Sequence, residues 1–248
     1  MDQVVVITGA SAGIGAATAE LLAARGARVA LVARRLEALE AVAERCGPTA
    51  LALVADVTSR TEVRGVVEAT LARFGRIDVW VNNVGQGITR PPSRLTDEDI
   101  DAMVTVNVKS ALYGMQEVLP HFTERGTGQV INVSSMLGRI PFVAMRSAYV
   151  GAKHFLNALT ATFRLELKAT HPGIVVSLVS PPVVRTDFGL NAMHGGPDSR
   201  SFPNSQSAED VAAVILQAIE QRLEDVYSMP GSREMVLAYY GKVGRDPA

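Results

Sequence analysis

The sequence predicts an α/β fold, a doubly wound parallel sheet of about seven strands with helices packed on both faces. Strand-like and helical patterns alternate along the whole chain, which is typical of this architecture. The strand-like runs are almost continuously apolar, as expected when helices cover both faces of a sheet. No proline- or serine-rich linker divides the 248 residues, of which 48% are hydrophobic. We therefore expect one domain with a sizeable buried core.

The elements follow one another in a regular order. Short apolar runs predict strands at residues 4–7, 28–32, 50–54, 78–82, 129–134 and 174–179, and a last short strand is predicted at 225–228. Apolar residues recur with helical spacing in the intervening segments, which predicts helices at residues 13–25, 36–45, 59–74, 97–123, 148–170 and 208–222. Helices placed in this way connect parallel strands, because a parallel pair needs a long crossover.

The composition argues against several classes of partner. The formal net charge is -1, which offers no electrostatic reason to expect nucleic acid or an anionic membrane. The single cysteine, Cys46, has no partner for an internal disulfide and is interpreted as a small apolar residue on a helix. No apolar stretch reaches the ~20 residues that span a bilayer, and no signal peptide is visible. We expect a soluble cytoplasmic protein.

One segment interrupts the regular alternation. Residues 188–207 contain Gly189, Gly195, Gly196, Pro197 and Pro203 together with several serines and asparagines. A long irregular stretch in a compact domain is usually functional or disordered. It follows a strand, so it should lie over the carboxyl edge of the sheet, where ligands bind in such folds. We predict a substrate lid at about 188–207, and a floppy loop is the alternative.

A glycine-rich turn follows the first strand, with the pattern Thr8-Gly9-x-x-x-Gly13-x-Gly15. Glycines let the backbone approach a phosphate, and the N-terminus of the next helix offers free N–H groups and a partial positive charge. The strand before and the helix after are the context that this motif requires. We predict a site for a dinucleotide pyrophosphate, and a tight turn without a ligand is the alternative. The predicted contacts are Gly9, Ser11, Gly13, Ile14 and Gly15.

The end of the second strand indicates which dinucleotide binds. Sites for NAD usually carry a carboxylate there, which binds the ribose hydroxyls. Here the strand ends in Arg34 and Arg35, and a planar guanidinium pairs bidentately with phosphate oxygens. We therefore predict NADP in preference to NAD, with Arg34 as the preferred contact to the 2′-phosphate. The alternative is that both arginines are solvated charges at the start of a helix.

Tyr149 is the only tyrosine with a lysine four residues later, Lys153. On a helix this spacing places both side chains on one face, about one turn apart. An unperturbed phenol has a pKa near ~10, and a neighbouring ammonium favours the phenolate and lowers that value. Tyr149 would then donate a proton to a carbonyl oxygen in reduction and accept one in oxidation. For the pair alone, an ordinary helical contact is the alternative.

Together these motifs resemble the short-chain dehydrogenase/reductase family, in its compact single-domain subgroup, from Val4 to about Val226. Besides the glycine turn and the tyrosine–lysine pair, four further segments match in the family's order. They are Asp56 in Ala55-Asp56-Val57, Asn82-Asn83-Val84-Gly85 after the fourth strand, Asn107 in the following helix, and Ser135 in Val133-Ser134-Ser135. Each motif is weak alone, but the ordered set is highly specific.

The resemblance implies a Rossmann fold, with residues 1–248 as a single NAD(P)-binding domain, and a catalytic group of Asn107, Ser135, Tyr149 and Lys153. In this family the serine holds the substrate oxygen against the tyrosine. The asparagine, through its backbone and a water, carries a proton path from the lysine to solvent. Further cofactor contacts are implied for Asp56, Val57, Asn83, Gly85, Tyr149, Lys153, Pro181, Val183 and Thr186. No metal site is implied.

Two departures from the family pattern concern the cofactor. Val84 replaces an alanine and adds bulk beside the cofactor. Ser180-Pro181-Pro182 stands where the family usually has Pro-Gly. Pro182 removes an N–H and fixes φ near the nicotinamide, while Thr186 remains placed to reach the carboxamide.

A third departure concerns the catalytic serine. The spacing from Ser135 to Tyr149 is one residue longer than usual, which makes Ser134 an alternate. Ser135 fits the pattern better, because it lies three residues before Gly138.

The family builds its substrate pocket from residues after the serine, residues after Gly85 and the lid. Here these positions are mostly apolar, and they include Met136, Leu137, Ile140, Phe142, Val143, Met145, Phe188, Leu190 and Met193. A hydrophobic ketone, aldehyde or secondary alcohol is therefore favoured over a sugar or a small acid. Arg139 and Arg146 complicate this prediction. Either would suit a carboxylate or the phosphopantetheine of an acyl-carrier substrate, or would be a solvated loop charge. His154 is interpreted as a packing or interface residue.

Two long predicted helices, 97–123 and 148–170, carry apolar residues on more than one face. In the family these faces pair between subunits, so a homodimer or homotetramer is implied. The apolar run at 236–240 would pack on its own core, on a neighbouring subunit or on a membrane, and the first two are preferred. No membrane partner is expected.

The leading hypothesis is an NADP-dependent oxidoreductase that interconverts an apolar carbonyl compound and its alcohol. The alternative is a catalytically silent NADP-binding regulatory or scaffold protein, for which Pro182 is the only supporting feature. An epimerase or dehydratase with the same tyrosine–lysine pair would normally need a larger substrate domain than this chain offers.

Overall fold

A computed structural model describes residues 1–244, and it contains one sheet of seven strands. The strands are β1 Val4–Thr8, β2 Arg28–Ala33, β3 Ala50–Val54, β4 Val79–Asn82, β5 Gly128–Val133, β6 Ile174–Ser180 and β7 Asp225–Tyr227. Their order across the sheet is β3-β2-β1-β4-β5-β6-β7, and every neighbouring pair is parallel. The predicted doubly wound parallel sheet is confirmed.

Helices connect the strands and follow the last one. They are α1 Gly13–Ala24, α2 Leu36–Cys46, α3 Arg60–Phe74, α4 Asp97–Val104, α5 Ser110–Arg125, α6 Ser147–Thr170, α7 Ala208–Glu220 and α8 Ser232–Tyr240. A π-helical turn, Thr105–Lys109, joins α4 to α5, so the helix predicted at 97–123 contains one wider turn. Sequence analysis did not predict α8, whose 9 residues are too few for a clear apolar period. Within residues 1–244, no helix is both long and apolar enough to cross a bilayer.

The first strand explains why the strands are continuously apolar in sequence. Val5 and Ile7 belong to a core formed with α1, α2 and α7, whereas Val6 belongs to a second core formed with α3, α5 and α6. Successive side chains of a strand point to opposite faces, so a strand covered on both sides needs apolar residues at every position. Cys46, the last residue of α2, lies in the first core, as the sequence indicated.

The strand order changes direction at β1, which has β2 on one side and β4 on the other. Helix α1, after β1, packs on one face of the sheet, and the helices that follow β4 pack on the opposite face. The two connections therefore diverge and leave a crevice outside the carboxyl ends of the strands. The glycine turn follows β1 and Asn83-Val84-Gly85 follows β4, so both segments open onto this crevice.

A chain of buried side-chain hydrogen bonds connects the central strands to two helices. Trp80 Nε1 donates to Asn82 Oδ1 (2.7 Å), and Asn82 Nδ2 donates to Asn132 Oδ1 (2.9 Å) and to the Ala111 carbonyl (3.1 Å). Asn132 Nδ2 in turn donates to Thr160 Oγ1 (2.9 Å). A buried polar group that loses its partner destabilises the fold by about 1–3 kcal/mol, so this chain holds α5 and α6 in register with β4 and β5.

Gly114 of α5 packs directly against this chain of hydrogen bonds, and we predict that Gly114→Ala destabilises the protein. A Cβ at this position would overlap Asn82 Oδ1 and Trp80 Nε1. We expect the free energy of unfolding in urea to fall by about 1–3 kcal/mol through overpacking. The matched control is Gly65→Ala in α3, where a Cβ meets nothing within 4 Å. That variant should gain about 0.5–1 kcal/mol, and equal stabilities of the two variants would contradict the prediction.

Candidate active site

A cleft of about 1520 Å³ follows the carboxyl ends of the strands from β3 to β6. Sixteen of the predicted site residues line it, namely Gly9, Ser11, Gly13, Ile14, Arg34, Arg35, Asp56, Val57, Asn83, Gly85, Ser135, Tyr149, Lys153, Pro181, Val183 and Thr186. Gly15 and Asn107 do not line the cleft and lie behind its wall. The fold thus brings residues from most of the chain to one elongated site.

The glycine turn has the backbone that its sequence requires. Gly9 and Gly13 have φ values of 68° and 55°, a region that favours glycine. A Cβ on Gly15 would overlap the Gly9 carbonyl, so Gly15 allows α1 to pack against the turn and is not itself a surface contact. Helix α1 has no side-chain N-cap and no acidic residue in its first turn. Its first N–H groups and its partial positive charge are therefore available to an anion.

The far end of the cleft carries two arginines and one carboxylate. Arg34 and Arg35 are exposed at the end of β2, and within residues 1–244 their guanidinium groups form no ion pair. Asp56 Oδ1 accepts hydrogen bonds from Thr58 N (2.9 Å) and Thr58 Oγ1 (2.7 Å). Burial opposes ionisation of Asp56, but the bonds from Thr58 and the charge of Arg34 outweigh it and lower the pKa of the carboxyl. Arg34 and Asp56 therefore line the same cleft.

Lys153 and Asn107 lie close to each other beside Gly85, where Lys153 lines the cleft and Asn107 lies behind its wall. Lys153 is buried, and its Nζ donates to the Val133 carbonyl (3.1 Å). Asn107, in the π-helical turn, donates through Nδ2 to the Gln86 carbonyl (3.0 Å) and accepts at Oδ1 from Gln86 N (3.1 Å). A Cβ on Gly85 would stand 3.1 Å from Asn107 Oδ1 and 3.5 Å from Lys153 Nζ. The two side chains therefore approach each other across Gly85, where a larger residue would separate them.

Tyr149 is buried, and its ring packs against Phe188 with centroids 5.4 Å apart. Lys153 Nζ lies 5.8 Å from the centroid of the Tyr149 ring, on the same face of α6, as predicted. Burial raises the pKa of Tyr149 to about 12, although Ser135 and the charge of Arg146 act to lower it. The net lowering of this pKa expected from the lysine is therefore not found, because removing the phenolate from water outweighs the charges around it.

The structure distinguishes the two adjacent serines. Ser134 Oγ donates to Asn157 Oδ1 (2.5 Å), and Asn157 Nδ2 donates to the Gly138 carbonyl (2.6 Å). Within residues 1–244, Ser135 Oγ accepts one hydrogen bond, from the backbone N–H of Leu137 (3.1 Å), and it lies beside the Tyr149 phenol. Ser134 therefore braces the loop against α6, while the hydroxyl of Ser135 is able to donate to a ligand.

Asn157 was not predicted as part of the site, although it lies one turn beyond Lys153 and two turns beyond Tyr149 on α6. A polar residue every fourth position along a largely apolar helix face is the signal that would have found it.

The segment after β6 accommodates Pro182. The carbonyl of the preceding Pro181 accepts from Met136 N (2.8 Å), and Gln206 N donates to the Val183 carbonyl (2.8 Å). Pro182 itself lines the cleft. A Cβ on Gly13 would stand 3.0 Å from Thr186 Cγ2, so Thr186 lies directly over the glycine turn.

Residues 188–207 cross the mouth of the cleft and are attached on its far side. Met193 N donates to the Gly87 carbonyl (2.9 Å), and the Met193 carbonyl accepts from Thr89 N (2.9 Å). His194 Nε2 contacts the buried Asp99 Oδ1 (2.7 Å), and Arg90 donates to Asp99 Oδ2 (2.8 Å). These contacts give the segment a defined path. Its action as a lid stays a prediction.

The predicted substrate pocket divides into lining and supporting residues. Six lie on the cleft: Met136, Leu137, Phe142, Val143, Met145 and Phe188. Ile140, Leu190 and Met193 lie outside it.

Arg146 lines the cleft, whereas Arg139 pairs with Asp225 and stacks on Tyr227. His154 Nδ1 contacts the Val150 carbonyl (2.9 Å) of its own helix, away from the cleft. Within residues 1–244, no three potential metal-ligating side chains lie together.

The buried ammonium of Lys153 should make stability depend on pH. Burial lowers the pKa of Lys153 from 10.5 to about 8. Between these values the unfolded chain binds the proton and the folded chain does not, so the free energy of unfolding rises with pH. Relative to Lys153→Met, wild-type protein should gain on the order of 1–2 kcal/mol from pH 7 to 9.5 in urea titrations. A difference that stays constant or falls with pH would contradict this prediction.

Comparison with known proteins identifies the family of this chain. The family model of short chain dehydrogenases matches residues 3–194. Levodione reductase of Leifsonia aquatica is 37% identical over 198 residues, which cover 77% of this chain and 73% of that protein. A short-chain dehydrogenase of Sphingobium yanoikuyae, solved with NADPH, has a TM-score of 0.81 at 29% identity and covers 99% of this chain and 98% of its own.

A short-chain dehydrogenase/reductase of Burkholderia phymatum, solved with NAD, shares the fold with a TM-score of 0.88. It is 23% identical and covers 100% of this chain and 98% of its own. The family model covers well over half of this chain, and the seven-stranded parallel sheet matches the fold of the structural neighbours. The chain therefore belongs to the short-chain dehydrogenase/reductase family, whose members are oxidoreductases.

Proposed function

We propose that the protein is an NADP-dependent oxidoreductase that interconverts an apolar ketone or aldehyde and its alcohol, with Tyr149 as general acid/base. One observation carries the proposal. Tyr149, Lys153 and Ser135 line the same cleft as an uncapped glycine turn. A proton donor and an anion-binding turn in one cleft suit a reaction that needs a dinucleotide and a proton.

The residues present fit a nicotinamide dinucleotide. The positive φ angles of Gly9 and Gly13 leave a cradle without side chains at the helix N-terminus, which suits a pyrophosphate. Arg34 and Arg35 would hold a 2′-phosphate, and Asp56 and Val57 would lie beside the adenine. The remaining contacts, toward the nicotinamide half, would come from Asn83, Gly85, Tyr149, Lys153, Pro181, Val183 and Thr186. When bound, the cofactor supplies or accepts the hydride at the substrate carbon.

The proton chemistry belongs to the chain's own residues. Because the pKa of Tyr149 is about 12, the phenol holds its proton at neutral pH and is ready to donate it to a carbonyl oxygen. Ser135 would hydrogen-bond the same oxygen and hold it against the phenol. Lys153 and Asn107 would return a proton toward solvent behind Gly85.

The proposal also includes the oligomeric state and the cellular location of the protein. Helix α6 exposes Phe155 and Leu165, which are 52% and 67% accessible, so we include a homodimer or homotetramer that covers this face. A cytoplasmic location remains part of the proposal. The lid at 188–207 would close over a substrate that contacts Phe188, Met136 and Met145.

The first test is NADPH oxidation against a panel of hydrophobic ketones and aldehydes, with Tyr149→Phe in parallel. We expect wild-type turnover and a loss of about 10²–10⁴-fold in kcat for the variant, because the acid is removed while the ring remains. NADPH binding, followed by fluorescence, should be unchanged within about twofold. If NADPH binds but neither carbonyls nor, with NADP⁺, alcohols react, the silent regulatory alternative replaces the proposal.

The choice of cofactor is tested separately by Arg34→Gln. We expect the KM for NADPH to rise about tenfold or more while the KM for NADH stays constant, because only NADPH carries the phosphate that Arg34 would pair with. Arg25→Gln removes an exposed charge that does not line the cleft and serves as the control. An unchanged ratio of NADPH to NADH efficiency in Arg34→Gln would show that NADP preference does not depend on this residue.

A further inference from the structure

Arg146 places a positive charge beside the proposed proton donor. It lies just before α6, lines the cleft and is only partly exposed. A Cβ on Gly87 would stand 3.0 Å from Arg146 Nη1 and equally 3.0 Å from Phe188 Cε1, and Phe188 packs on the Tyr149 ring. Guanidinium, phenyl ring and phenol therefore form a continuous wall at the substrate end of the cleft.

The guanidinium has almost no partners. Of its five N–H donors, one bonds within residues 1–244, from Nη1 to the Ile88 carbonyl at 3.3 Å. The described part of the chain places no carboxylate in ion-pair contact with it, whereas Arg139 pairs with Asp225 and Arg200 pairs with Asp187. Burial lowers the pKa of Arg146, a direction that marks a partly desolvated charge. Such a charge is costly without a counter-ion.

A second unsatisfied group faces the same space. Thr89 lines the cleft, and its Oγ1 is buried without a hydrogen-bond partner in residues 1–244. A Cβ on Gly196 would stand 3.2 Å from Thr89 Oγ1 and 3.2 Å from Arg146 Nη2, so both polar atoms lie close to Gly196. The same Cβ would overlap the Gly189 carbonyl, which accepts from Ala192 N (3.2 Å), so the loop backbone fills the position beside Gly196. A buried hydroxyl without a partner is rare in folded proteins, and this one lies beside a guanidinium that lines the cleft and has no counter-ion in residues 1–244, which points to a ligand.

We propose that Arg146 and Thr89 form a carboxylate subsite, so that the substrate is an oxo acid with an apolar body. Its carbonyl would lie at Tyr149 and its carboxylate, a few bonds away, between the guanidinium and the threonine hydroxyl. One guanidinium fork and one hydroxyl match the two oxygens of a single carboxylate, whereas a phosphate would leave a charge and an oxygen without partners. The subsite deepens the proposed function and rests on it for the position of the carbonyl.

Binding of an unreactive acid tests the subsite without turnover. Calorimetry with NADP⁺ present compares 4-phenylbutyrate with its neutral amide, and inorganic phosphate is added as a competitor. Arg146→Gln should weaken binding of the acid about 10- to 100-fold and leave the amide unchanged. Thr89→Val should weaken it several-fold while Thr89→Ser retains it, because only the serine keeps the donor. Arg94→Gln removes an exposed charge outside the cleft and should have no effect.

Kinetics on matched substrates separates the subsite from the proposed reaction. With 2-oxo-4-phenylbutanoate and its ethyl ester, Arg146→Gln should raise KM for the acid about tenfold or more and leave KM for the ester unchanged. If the ester is reduced and Arg146→Gln changes KM for the acid and the ester equally, the carboxylate subsite is overturned while the proposed reductase activity remains supported. If Arg146→Gln lowers kcat equally for the acid and the ester and shifts the pH dependence of kcat, Arg146 acts on proton transfer by Tyr149 and not on a substrate carboxylate, and the subsite is overturned.

The remaining outcomes are equally decisive. Wild-type protein that binds no acid, or that binds phosphate better than the acid at Arg146, overturns the carboxylate subsite. Acid binding that depends on Arg146, without turnover of acid or ester, supports the subsite and rejects the proposed reaction.

Discussion

The hydrogen-bond chain from Trp80 through Asn82 and Asn132 to Thr160 is the constraint on which the site depends. It crosses from β4 to β5 and then to α6, and Asn82 also holds the Ala111 carbonyl of α5. Gly85 follows β4, and Ser135 follows β5. Asn107 lies in the π-helical turn before α5, and Tyr149 and Lys153 lie on α6. A shift of any one of these elements would leave a buried amide without a partner, and this cost keeps four separate segments in register. These hydrogen bonds require glycine at position 114, because a Cβ there would overlap Asn82 Oδ1 and Trp80 Nε1.

Burial determines the character of the proton-transfer group. The same removal from water raises the pKa of Tyr149 to about 12 and lowers that of Lys153 to about 8. Both shifts favour the neutral forms, since a low-dielectric surrounding disfavours any charge. The phenol is thus kept as an acid, while the lysine stays close to the pH at which it exchanges a proton. Arg146, nearer the surface, remains the charged group at this end of the cleft.

The sequence predicted the fold well because the relevant signals are local. Continuous valine and isoleucine runs marked each strand to within one residue of its observed ends, and the turn after β1 was evident from its glycines. Helix α8 was missed, since its 9 residues carry too few apolar positions to define a period. The π-helical turn at Asn107 was also missed, because nothing in five residues of sequence distinguishes a wider turn from an ordinary one. Gly15 lies against the Gly9 carbonyl, a contact that spacing in the sequence does not show, and its role as a cofactor contact stays a prediction.

By itself the sequence determined the regular alternation of strands and helices, the glycine turn, the tyrosine–lysine pair and the family. Each of these depends on neighbours within a few residues, where spacing alone sets geometry. The tertiary structure decided which of two serines is available, which of two arginines is paired, and that the pKa of Tyr149 rises. The groups that meet in the site are far apart in sequence, so only folding decides which of them come together and how far each is removed from water. Examples are Asn157 with Ser134, Asp225 with Arg139, and Thr89 with Arg146.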